Sequence, residues 1–395
     1  MRILFVLVPA FDRHAGGVQM TTAKLSAWFA RQGHDVSVFS FEGGSAVDPG
    51  VTLYGPQVSR NGSTEKPLDA LGKVMDSIRP EVVINQMPYL AELAVFLDSR
   101  RSEFLLLGCL RNTLFSVVAN LEAYRQKLVP GIVTRWVPAS MLDFGLLRFH
   151  RRQHARQLRQ ILARHDRFVM FGPPNLDELR YFVPDFDPSS VALIPNSIPR
   201  VLDEVPEKEK RILWLGRLCN QQKRCQLLVP LWQRLCHTLP DWRLDIVGDG
   251  PARSELEAAF AAADLVNYKF YGKQAPDPFF HRSAIFVMTS GYEGFPNTLI
   301  EAQSYGAVPV IFDNYPIASW VVGSGDNGFL IQPFDIPAMA GCIEELTASP
   351  ERCQQLATAA LENARRFEID QVGEQWLNLF NELLSDHAEP VVRPV

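Results

Sequence analysis

The sequence predicts an α/β protein made of two Rossmann-like domains, and three observations support this fold class. The chain has 395 residues, a length that suits two domains of about 100–200 residues each. Apolar, β-branched segments alternate with amphipathic segments, which is the pattern of a parallel sheet covered by helices. The alternation restarts after a segment rich in charge and proline, so we expect two doubly wound domains that face each other across a cleft.

The predicted boundaries follow this alternation. We expect an N-terminal domain at 1–198, a linker at 199–209, a C-terminal domain at 210–369, and a closing helix with a tail at 370–395. The strands expected in the first half are 3–8, 35–41, 81–85, 104–108, 167–171 and 191–194. Those expected in the second half are 211–215, 243–247, 266–271, 284–289, 308–312 and 328–331.

The composition indicates an ordinary globular protein. Hydrophobic residues make up 47% of the chain and charged residues 21%, which excludes a disordered, collagen-like or disulfide-scaffold class. The six cysteines contain no C-x-x-C pair, so we expect reduced thiols and a cytoplasmic location. No apolar stretch approaches the roughly 18 residues of a membrane span.

Charge is distributed unevenly along the chain. Residues 1–200 hold 23 Lys and Arg against 18 Asp and Glu, and residues 201–395 hold 16 against 26, which gives +5 and −10. The segment 148–167 alone contains seven arginines and one acid. A solvated helix face explains such a segment, and an anionic membrane surface is the alternative that the basic first half favours.

The strongest local motif is the segment 290–302, which holds Glu293 and Glu301 on either side of a helix start. Pro296 suits the first turn of a helix. The backbone N–H groups expected to form an anion site there belong to Asn297, Thr298 and Leu299. The carboxylates suit hydroxyl groups of a sugar and a ribose, although a solvated helix glutamate and a favourable charge near a helix N-terminus explain them equally well.

A basic loop follows the first predicted strand of the second half. Arg217 and Lys223 lie in this loop, where a guanidinium fork and an ammonium group would hold a diphosphate. A solvated basic turn is the alternative.

Glycine turns mark three further strand ends. Gly248 follows one strand, and Tyr271-Gly272-Lys273 ends the next. In the first half, Gly16-Gly17 lies between the first strand and the first helix, where the missing Cβ permits a close approach of a ligand. None of these turns matches the dinucleotide pattern G-x-G-x-x-G.

Together these motifs resemble the retaining nucleotide-sugar glycosyltransferases of the GT-B fold, in particular family four, the glycosyl transferases group 1. The segments that carry the resemblance are 293–301 (the E-x7-E signature), 216–218 with Lys223, 247–251, 194–196, 327–330 and 16–17. The resemblance covers most of residues 1–385 and is more specific in the second half. It also implies that the closing helix crosses back to the first domain.

The resemblance implies a role for each matched position. Glu293 would bind hydroxyl groups of the donor sugar, and Glu301 would bind the ribose. Arg217 and Lys223 would hold the diphosphate, so that Glu293, Arg217 and Lys223 form the expected catalytic group. The expected donor-binding residues are Gly16, Gly17, Arg217, Lys223, Gly248, Tyr271, Gly272, Lys273, Phe295, Pro296, Asn297, Thr298, Leu299 and Glu301, with the base held largely through backbone groups at 271–273.

The sequence departs from the family pattern in two places. The family usually spaces its Arg and Lys one residue closer than here, which makes Arg224 an alternative to Lys223. Many members also carry a histidine at a strand end of the acceptor domain, where this chain reads Asn85-Gln86 and Arg111-Asn112. The catalytic group on the acceptor side is therefore not identified by the resemblance.

No metal site is expected. Asp185-Phe186-Asp187 has the D-x-D spacing of a divalent-metal motif, but it lies in a proline-containing loop away from the other motifs and is interpreted as a solvated turn. His150 and His154 lie four residues apart on an arginine-rich helix and are interpreted as structural. Cations and a helix start would neutralise a leaving diphosphate without a metal.

The sequence therefore predicts a retaining, hexosyl-type glycosyltransferase. The donor is a UDP- or GDP-sugar, and the acceptor is a glycan or a lipid-linked glycan of cell-surface polysaccharide or lipopolysaccharide assembly. We expect a cytoplasmic enzyme in peripheral contact with the inner membrane face, without a nucleic-acid partner. The alternatives are an inactive GT-B protein that binds a sugar or nucleotide, and a nucleotide-sugar epimerase that forms product without an acceptor.

Overall fold

The computed structural model describes residues 1–12, 16–44, 47–56, 65–129 and 137–388. By packing, the chain divides into two units. The first consists of Met1–Arg111, Val137–Pro199 and Ile369–Val395, and the second of Asn112–Trp136 and Arg200–Glu368. The second unit thus includes 112–136, which the sequence-based boundaries place in the N-terminal domain, and most of the expected linker.

The first unit is built on a seven-stranded sheet in which every strand pair is parallel. Its strands are β1 (Arg2–Leu7), β2 (Asp35–Ser40), β3 (Val51–Tyr54), β4 (Val82–Asn85), β5 (Leu105–Cys109), β6 (Arg167–Met170) and β7 (Val191–Leu193). They lie in the order β3-β2-β1-β4-β5-β6-β7. Six of them match expected strands, and the edge strand β3 is an addition.

The second unit is built on a six-stranded parallel sheet. Its strands are β8 (Glu209–Leu215), β9 (Arg243–Val247), β10 (Tyr268–Gly272), β11 (Ser283–Met288), β12 (Val308–Phe312) and β13 (Phe329–Ile331). All six expected strands are present, in the order β10-β9-β8-β11-β12-β13. The order reverses between β8 and β11, and such a switch point is where doubly wound sheets bind ligands.

Helices connect the strands of both sheets. In chain order they are α1 (Gly17–Arg31), α2 (Pro67–Ile78), α3 (Ala91–Asp98), α4 (Ser116–Ala119), α5 (Leu121–Leu128), α6 (Ala139–Arg164), α7 (Pro174–Phe182), α8 (Leu228–Leu235), α9 (Arg253–Ala262), α10 (Asp277–Arg282), α11 (Asn297–Ser304), α12 (Ala318–Val321), α13 (Ile336–Ala348), α14 (Pro350–Ala364) and α15 (Ile369–Ala388). Short 3₁₀ turns are at Arg101–Glu103, Pro188–Ser190, Cys225–Leu227 and Arg365–Phe367. Among the described residues, none of these helices combines the length and the hydrophobicity that a membrane span requires.

The closing helix α15 packs on α1 of the first unit, which confirms the expected crossing. The indole Nε1 of Trp28 donates to Asp370 Oδ1 at 2.6 Å. A Cβ at position 373 would stand 2.5 Å from the Trp28 ring, so only glycine lets the two helices approach this closely. Trp376 and Phe380 complete the contact in the core of the first unit.

The strands at the centre of the second sheet are apolar along their whole length because helices cover both faces. Every residue of β11 and β12 is buried. Trp214, Trp232 and Phe260 anchor the core on one side of the sheet. This packing holds the carboxyl ends of β8 and β11 in fixed positions, and the loops that follow them carry the candidate site.

Candidate functional site

Two loops adjoin at the switch point of the second sheet, one after β8 and one after β11. A backbone hydrogen bond joins them, in which the N–H of Gly291 donates to Gln222 O at 2.7 Å. The Thr289 hydroxyl donates to Lys223 O at 2.8 Å and accepts from Trp214 Nε1 at 2.9 Å. The two loops therefore form a single rigid platform rather than two independent segments.

This platform brings together two of the predicted catalytic residues. Lys223 Nζ donates to Glu293 Oε1 at 2.7 Å, and the two side chains are 17% and 8% exposed. The Gln222 amide donates to Glu293 Oε2 at 3.3 Å and to Tyr292 O at 3.4 Å. Loss of either partner would leave the other charge poorly compensated in a largely dry environment.

The loop after β12 also packs against this platform, close to Glu293. The amide of Asn314 donates to Ser290 O at 3.0 Å. Tyr315 is 5% exposed, and its hydroxyl contacts Met288 Sδ at 3.5 Å. Burial raises the pKa of this phenol well above its usual range, and the Glu293 carboxylate adds to the effect. Tyr315 is therefore a neutral residue that packs against the carboxylate side of the platform.

The two alternative cations differ in their surroundings. Lys223, not Arg224, is the residue that meets Glu293. Arg224 has a left-handed backbone, with φ of 49°, and its guanidinium lies 5.4 Å from the centre of the Phe334 ring. Lys223 thus pairs with Glu293 while Arg224 lies beside the Phe334 ring, and which of the two would hold a diphosphate stays a prediction.

Arg217, at the start of the same loop, is exposed, and none of the described residues pairs with its guanidinium. Lys273, at the end of β10, is also exposed. Both cations are consequently open to an anion in solution, whereas the charge of Lys223 is already shared with Glu293.

The helix start predicted as an anion site is α11. Within its first turn the N–H of Asn297 donates to Phe295 O at 2.9 Å, and the N–H of Leu299 donates to Pro296 O at 2.9 Å. Two of the three N–H groups thus already have a backbone acceptor in the turn, and the predicted role of Asn297, Thr298 and Leu299 in binding an anion stays a prediction.

The side chains around α11 divide into core and surface. Phe295 is 7% exposed and packs on Phe367 at 5.6 Å, while Leu299 is fully buried. These two side chains form part of the core rather than a ligand surface, because an apolar side chain in a close-packed interior leaves no room for another molecule. Glu301 is partly exposed on the same helix, and its predicted contact with a ribose stays a prediction.

The glycines at the other strand ends allow close backbone packing. The N–H of Gly248 donates to Gly272 O at 2.8 Å. Gly248 has φ of 136°, and a Cβ there would stand 1.9 Å from Gly216 O. Any other residue at 248 would push the loop after β8 out of place.

Tyr271 does not direct its side chain to this edge of the sheet. Its hydroxyl donates to Asp245 Oδ1 at 3.2 Å and lies 2.8 Å from a guanidinium nitrogen of Arg243. The ring also packs edge-on against Phe279 at 4.7 Å. Any contact of this segment with a base would have to use its backbone.

In the first unit, Gly16 and Gly17 lie where β1 leads into α1. Gly17 is the first residue of the helix, and Gly16 O accepts from Met20 N at 2.9 Å. Gly16 has φ of 150°, a conformation that favours glycine. Residues 13–15 of this loop lie outside the described residues, and the approach of the glycines to a diphosphate stays a prediction.

The carboxyl edge of the first sheet holds polar groups that the sequence left without a role. Gln86 is 1% exposed, and both of its amide atoms lack a hydrogen-bond partner among the described residues. Arg111 donates to Asn196 Oδ1 at 3.5 Å, while its Nε has no partner there. Unsatisfied buried polar groups are rare, and only a tertiary structure shows that they are unsatisfied.

The residues of the D-x-D motif and the histidine pair are engaged in local structure. Asp185 binds Arg159 at 2.9 Å, and Asp187 caps the turn that follows by accepting from Ser189 N at 2.9 Å. His150 and His154 stack at 5.2 Å. Within the described residues, no group of three or more His, Cys, Asp or Glu side chains is arranged to hold a metal ion.

Two Rossmann-like units, with polar loops at the switch point of the second, give this chain the GT-B fold of glycosyltransferases. The structure of Anabaena HepE in complex with UDP superposes with a TM-score of 0.71 at 16% identity, over 97% of this chain and 100% of that one. Residues 201–363 match the family model described as glycosyl transferases group 1. The matched residues all lie in the second unit and make up less than half of the chain.

Curated relatives match part of the chain. The amylovoran biosynthesis glycosyltransferase AmsD of Erwinia amylovora is 26% identical over 227 residues, which is 56% of this chain and 61% of the relative. The lipopolysaccharide 1,6-galactosyltransferase of Salmonella typhimurium is 31% identical over 177 residues, 42% of this chain and 48% of the relative. The chain thus spans less than two thirds of the length of either relative.

Proposed function

We propose that this protein is a retaining glycosyltransferase that moves a hexosyl group from a UDP- or GDP-sugar to a glycan or lipid-linked acceptor. The observation that carries the proposal is the ion pair of Lys223 and Glu293 at the switch point, with the exposed Arg217 at the start of the same loop. Cations and a carboxylate that meet at this edge suit a ligand with a diphosphate and hydroxyl groups.

Each charged residue of the site has a defined role in the proposed transfer reaction. The bond between the anomeric carbon and the β-phosphate oxygen breaks, and Arg217 and Lys223 neutralise the charge that develops on the diphosphate. The acceptor hydroxyl forms the new bond on the same face of the sugar, and its proton passes to the departing phosphate oxygen. Glu293 accepts hydrogen bonds from the donor sugar and orients it, and Glu301 accepts from the ribose. No step requires a metal ion.

The names of the relatives support the choice of substrates. One relative acts in amylovoran biosynthesis, another transfers galactose in lipopolysaccharide, and the similar fold of HepE binds UDP. We therefore favour cell-surface polysaccharide or lipopolysaccharide assembly as the setting. The inactive binding protein and the epimerase remain alternatives that one experiment separates.

That experiment screens UDP- and GDP-sugars by thermal shift and then incubates the best binder with and without glycan acceptors. A ligand at about a hundred times its dissociation constant adds roughly 2.7 kcal/mol of apparent stability. We expect acceptor-dependent transfer with the donor's anomeric configuration kept in the product, as read by NMR. Binding without turnover would indicate the inactive protein, and a new sugar formed without acceptor would indicate an epimerase.

We also propose that the acceptor-side unit binds an anionic membrane surface through α6. Arg148, Arg152 and Arg156 are exposed at helical spacing, and the described residues place no acidic partner beside them. Met141 and Phe144 are 66% and 68% exposed on the same helix. A helix that exposes both cations and large apolar side chains suits the interface of an anionic bilayer.

The other arginines of the basic segment are already engaged. Arg159 binds Asp185, Arg164 lies 3.6 Å from Asp98, and Arg151 stacks on the Tyr181 ring at 4.4 Å. Fewer arginines of the helix are therefore available to a membrane surface than the sequence suggests, and those available are Arg148, Arg152 and Arg156.

Sedimentation with vesicles of anionic and of zwitterionic lipid tests the membrane proposal. We expect salt-sensitive binding to anionic vesicles, lost when Arg148, Arg152 and Arg156 are changed to Glu, since each cation contributes about 1 kcal/mol near such a surface. Arg234→Glu on α8 is the control. Equal, negligible sedimentation of all proteins at low salt would contradict the proposal and leave the transferase assignment unaffected.

A further inference from the structure

Three arginines of the second unit surround one buried carboxylate, outside the two loops of the candidate site. The carboxylate belongs to Asp245 in β9, which is fully buried. Arg243 Nε lies 3.0 Å from its Oδ1, and Arg211 Nη1 lies 3.1 Å from its Oδ2. A terminal nitrogen of Arg282 lies 3.6 Å from the same Oδ2. The proposed transfer reaction uses none of these four side chains, so this arginine cluster needs an explanation of its own.

The arginine cluster lies on one face of the second sheet. Successive side chains of a strand point to opposite faces, so Arg243 and Asp245 share a face, while Leu244 and Ile246 belong to the apolar core on the other. Arg211 lies on the face of Arg243, because the two residues pair in the register of β8 and β9. The short helix α10 leaves the three arginine side chains between 18% and 36% exposed. Solvent therefore reaches the guanidinium groups but not the central carboxylate.

The cations around this carboxylate outnumber the acids. Glu209 binds Arg211 and is the second acid of the cluster. Lys269 adds a fourth cation, since its Nζ lies 4.9 Å from the centre of the Tyr271 ring. Two positive charges are thus left without a matching acid. This surplus is local, because residues 201–395 hold only 16 Lys and Arg against 26 Asp and Glu.

Arg282 is the member of the cluster whose hydrogen-bond donors stay unused. Its guanidinium lies 4.5 Å from the centre of the Phe279 ring and 5.6 Å from that of Tyr271. Its Nε is buried without an acceptor, and its terminal nitrogens make no hydrogen bond within the described part of the chain. A planar guanidinium group matches phosphate oxygens through two parallel N–H donors. The rings therefore hold a cation in place whose terminal donors remain available to a ligand.

We propose that Arg211, Arg243 and Arg282 form a binding site for a phosphate group. The three guanidinium groups converge on one carboxylate, so a phosphate beside it receives N–H donors from more than one arginine. The two negative charges of a phosphate dianion match the surplus of two positive charges. A dianion also reduces the repulsion between the guanidinium groups, which the carboxylates only partly offset. The site does not depend on the proposed transfer reaction.

Calorimetric titration with inorganic phosphate at constant ionic strength tests the proposal. Wild type is compared with Arg282→Gln, with the exposed control Arg234→Gln, and with Arg217→Gln in the proposed donor site. We expect the dissociation constant to rise at least about tenfold in Arg282→Gln and to stay unchanged in the other two, since charge-assisted hydrogen bonds are lost only there. Binding lost in Arg217→Gln and kept in Arg282→Gln would place the ion elsewhere and overturn the proposal.

Phenylglyoxal labelling of the wild type locates the ion without any substitution. The reagent adds to accessible guanidinium groups, and peptide mass spectrometry reads each arginine separately. We expect phosphate to slow the labelling of Arg282 and Arg243 several-fold and to leave Arg234 unaffected. Equal labelling with and without phosphate would overturn the proposal, even if Arg282→Gln fails to fold. Neither readout depends on glycosyl transfer, so the proposed function is tested separately.

A free phosphate ion and a phospholipid headgroup present the same chemistry, and vesicles of phosphatidic acid distinguish them. The sedimented protein carries Glu at Arg148, Arg152 and Arg156, so that α6 does not contribute to binding. Vesicle binding that Arg282→Gln abolishes would support the proposal with a lipid headgroup as the ligand. Phosphate binding without vesicle binding would support it with a free ion. No effect of Arg282→Gln on either ligand would contradict it.

Discussion

Lys223 and Glu293 form an ion pair with 2.7 Å between Nζ and Oε1. Two hydrogen bonds fix the backbone on both sides of this pair, one from the Gly291 N–H to Gln222 O and one from the Thr289 hydroxyl to Lys223 O. The pair holds a carboxylate ready at the switch point before any ligand binds. A donor diphosphate that approaches Lys223 must share its ammonium group with Glu293. The carboxylate of the proposed donor site is therefore preorganised, and we expect Arg217 to supply the positive charge that the pair does not.

A double-mutant cycle on Lys223→Met and Glu293→Gln should detect this pairing. We expect each single variant to lower the free energy of unfolding by about 2 kcal/mol, less than for a fully buried pair because Lys223 is partly solvated. The double variant should lose less than the sum of the two. Urea unfolding measures all three, and strictly additive losses would show that the pair contributes no coupling energy.

Gln86 and its neighbour Asn85 should respond in opposite ways to substitution by leucine. Gln86→Leu removes two unsatisfied buried amide atoms, so the free energy of unfolding should rise by roughly 1–2 kcal/mol. Asn85 binds His165 Nε2 at 3.3 Å and Met87 N at 2.9 Å, so Asn85→Leu should lower it. If Gln86 serves the acceptor, Gln86→Leu also reduces transfer without changing nucleotide affinity. A loss of stability in both variants would contradict this interpretation.

Stability should fall in acid because of His154. Burial lowers its pKa to about 4, with a smaller effect from His150. Between about pH 6.5 and pH 4, the unfolded chain therefore binds a proton at this histidine that the folded chain does not bind. As the pH falls through this window, the free energy of unfolding decreases by up to about 3 kcal/mol. His154→Phe should flatten this dependence, while His237→Phe at an exposed position should not. Parallel pH profiles for both variants and the wild type would exclude His154 as the cause.

Transfer should continue in the presence of a chelator. Arg217, Lys223 and the start of α11 are the groups we expect to neutralise the diphosphate, and Asp185 and Asp187 are engaged with Arg159 and Ser189. Activity is measured with and without EDTA at a saturating donor concentration. Activity abolished by EDTA and restored by magnesium or manganese would contradict the proposed charge balance.

Much of the fold could be predicted from the sequence because the buried strands are apolar throughout. All six strands of the second sheet and six of the seven in the first were predicted. Val51–Tyr54 was not, because this short edge strand has one buried residue and three that are not. The grouping of residues 112–136 with the second unit depends on tertiary packing, which no local pattern records.

The candidate site was less accessible, since its geometry depends on contacts between distant loops. The E-x7-E signature and the basic loop pointed to Glu293, Lys223 and Arg217; the structure brings Lys223 and Glu293 together, and the role of all three in donor binding stays a prediction. Neither pattern could show that Gln222 binds Glu293 across 71 positions of sequence, nor that Tyr271 directs its hydroxyl to Asp245. The hydrogen bonds that the N–H groups of Asn297 and Leu299 donate within the turn depend on the local backbone geometry, which the helical pattern of the sequence does not show.

Isothermal titration calorimetry of UDP and GDP tests the central claim, that the carboxyl edge of the second sheet is the donor site. Wild type is compared with Arg217→Ala, Glu301→Ala and the exposed control Arg234→Ala. We expect the better nucleotide to lose roughly 1.5–3 kcal/mol of binding free energy for each lost charge-assisted contact in Arg217→Ala and Glu301→Ala, with no change in Arg234→Ala. Unchanged affinity in folded Arg217→Ala and Glu301→Ala proteins would contradict the account.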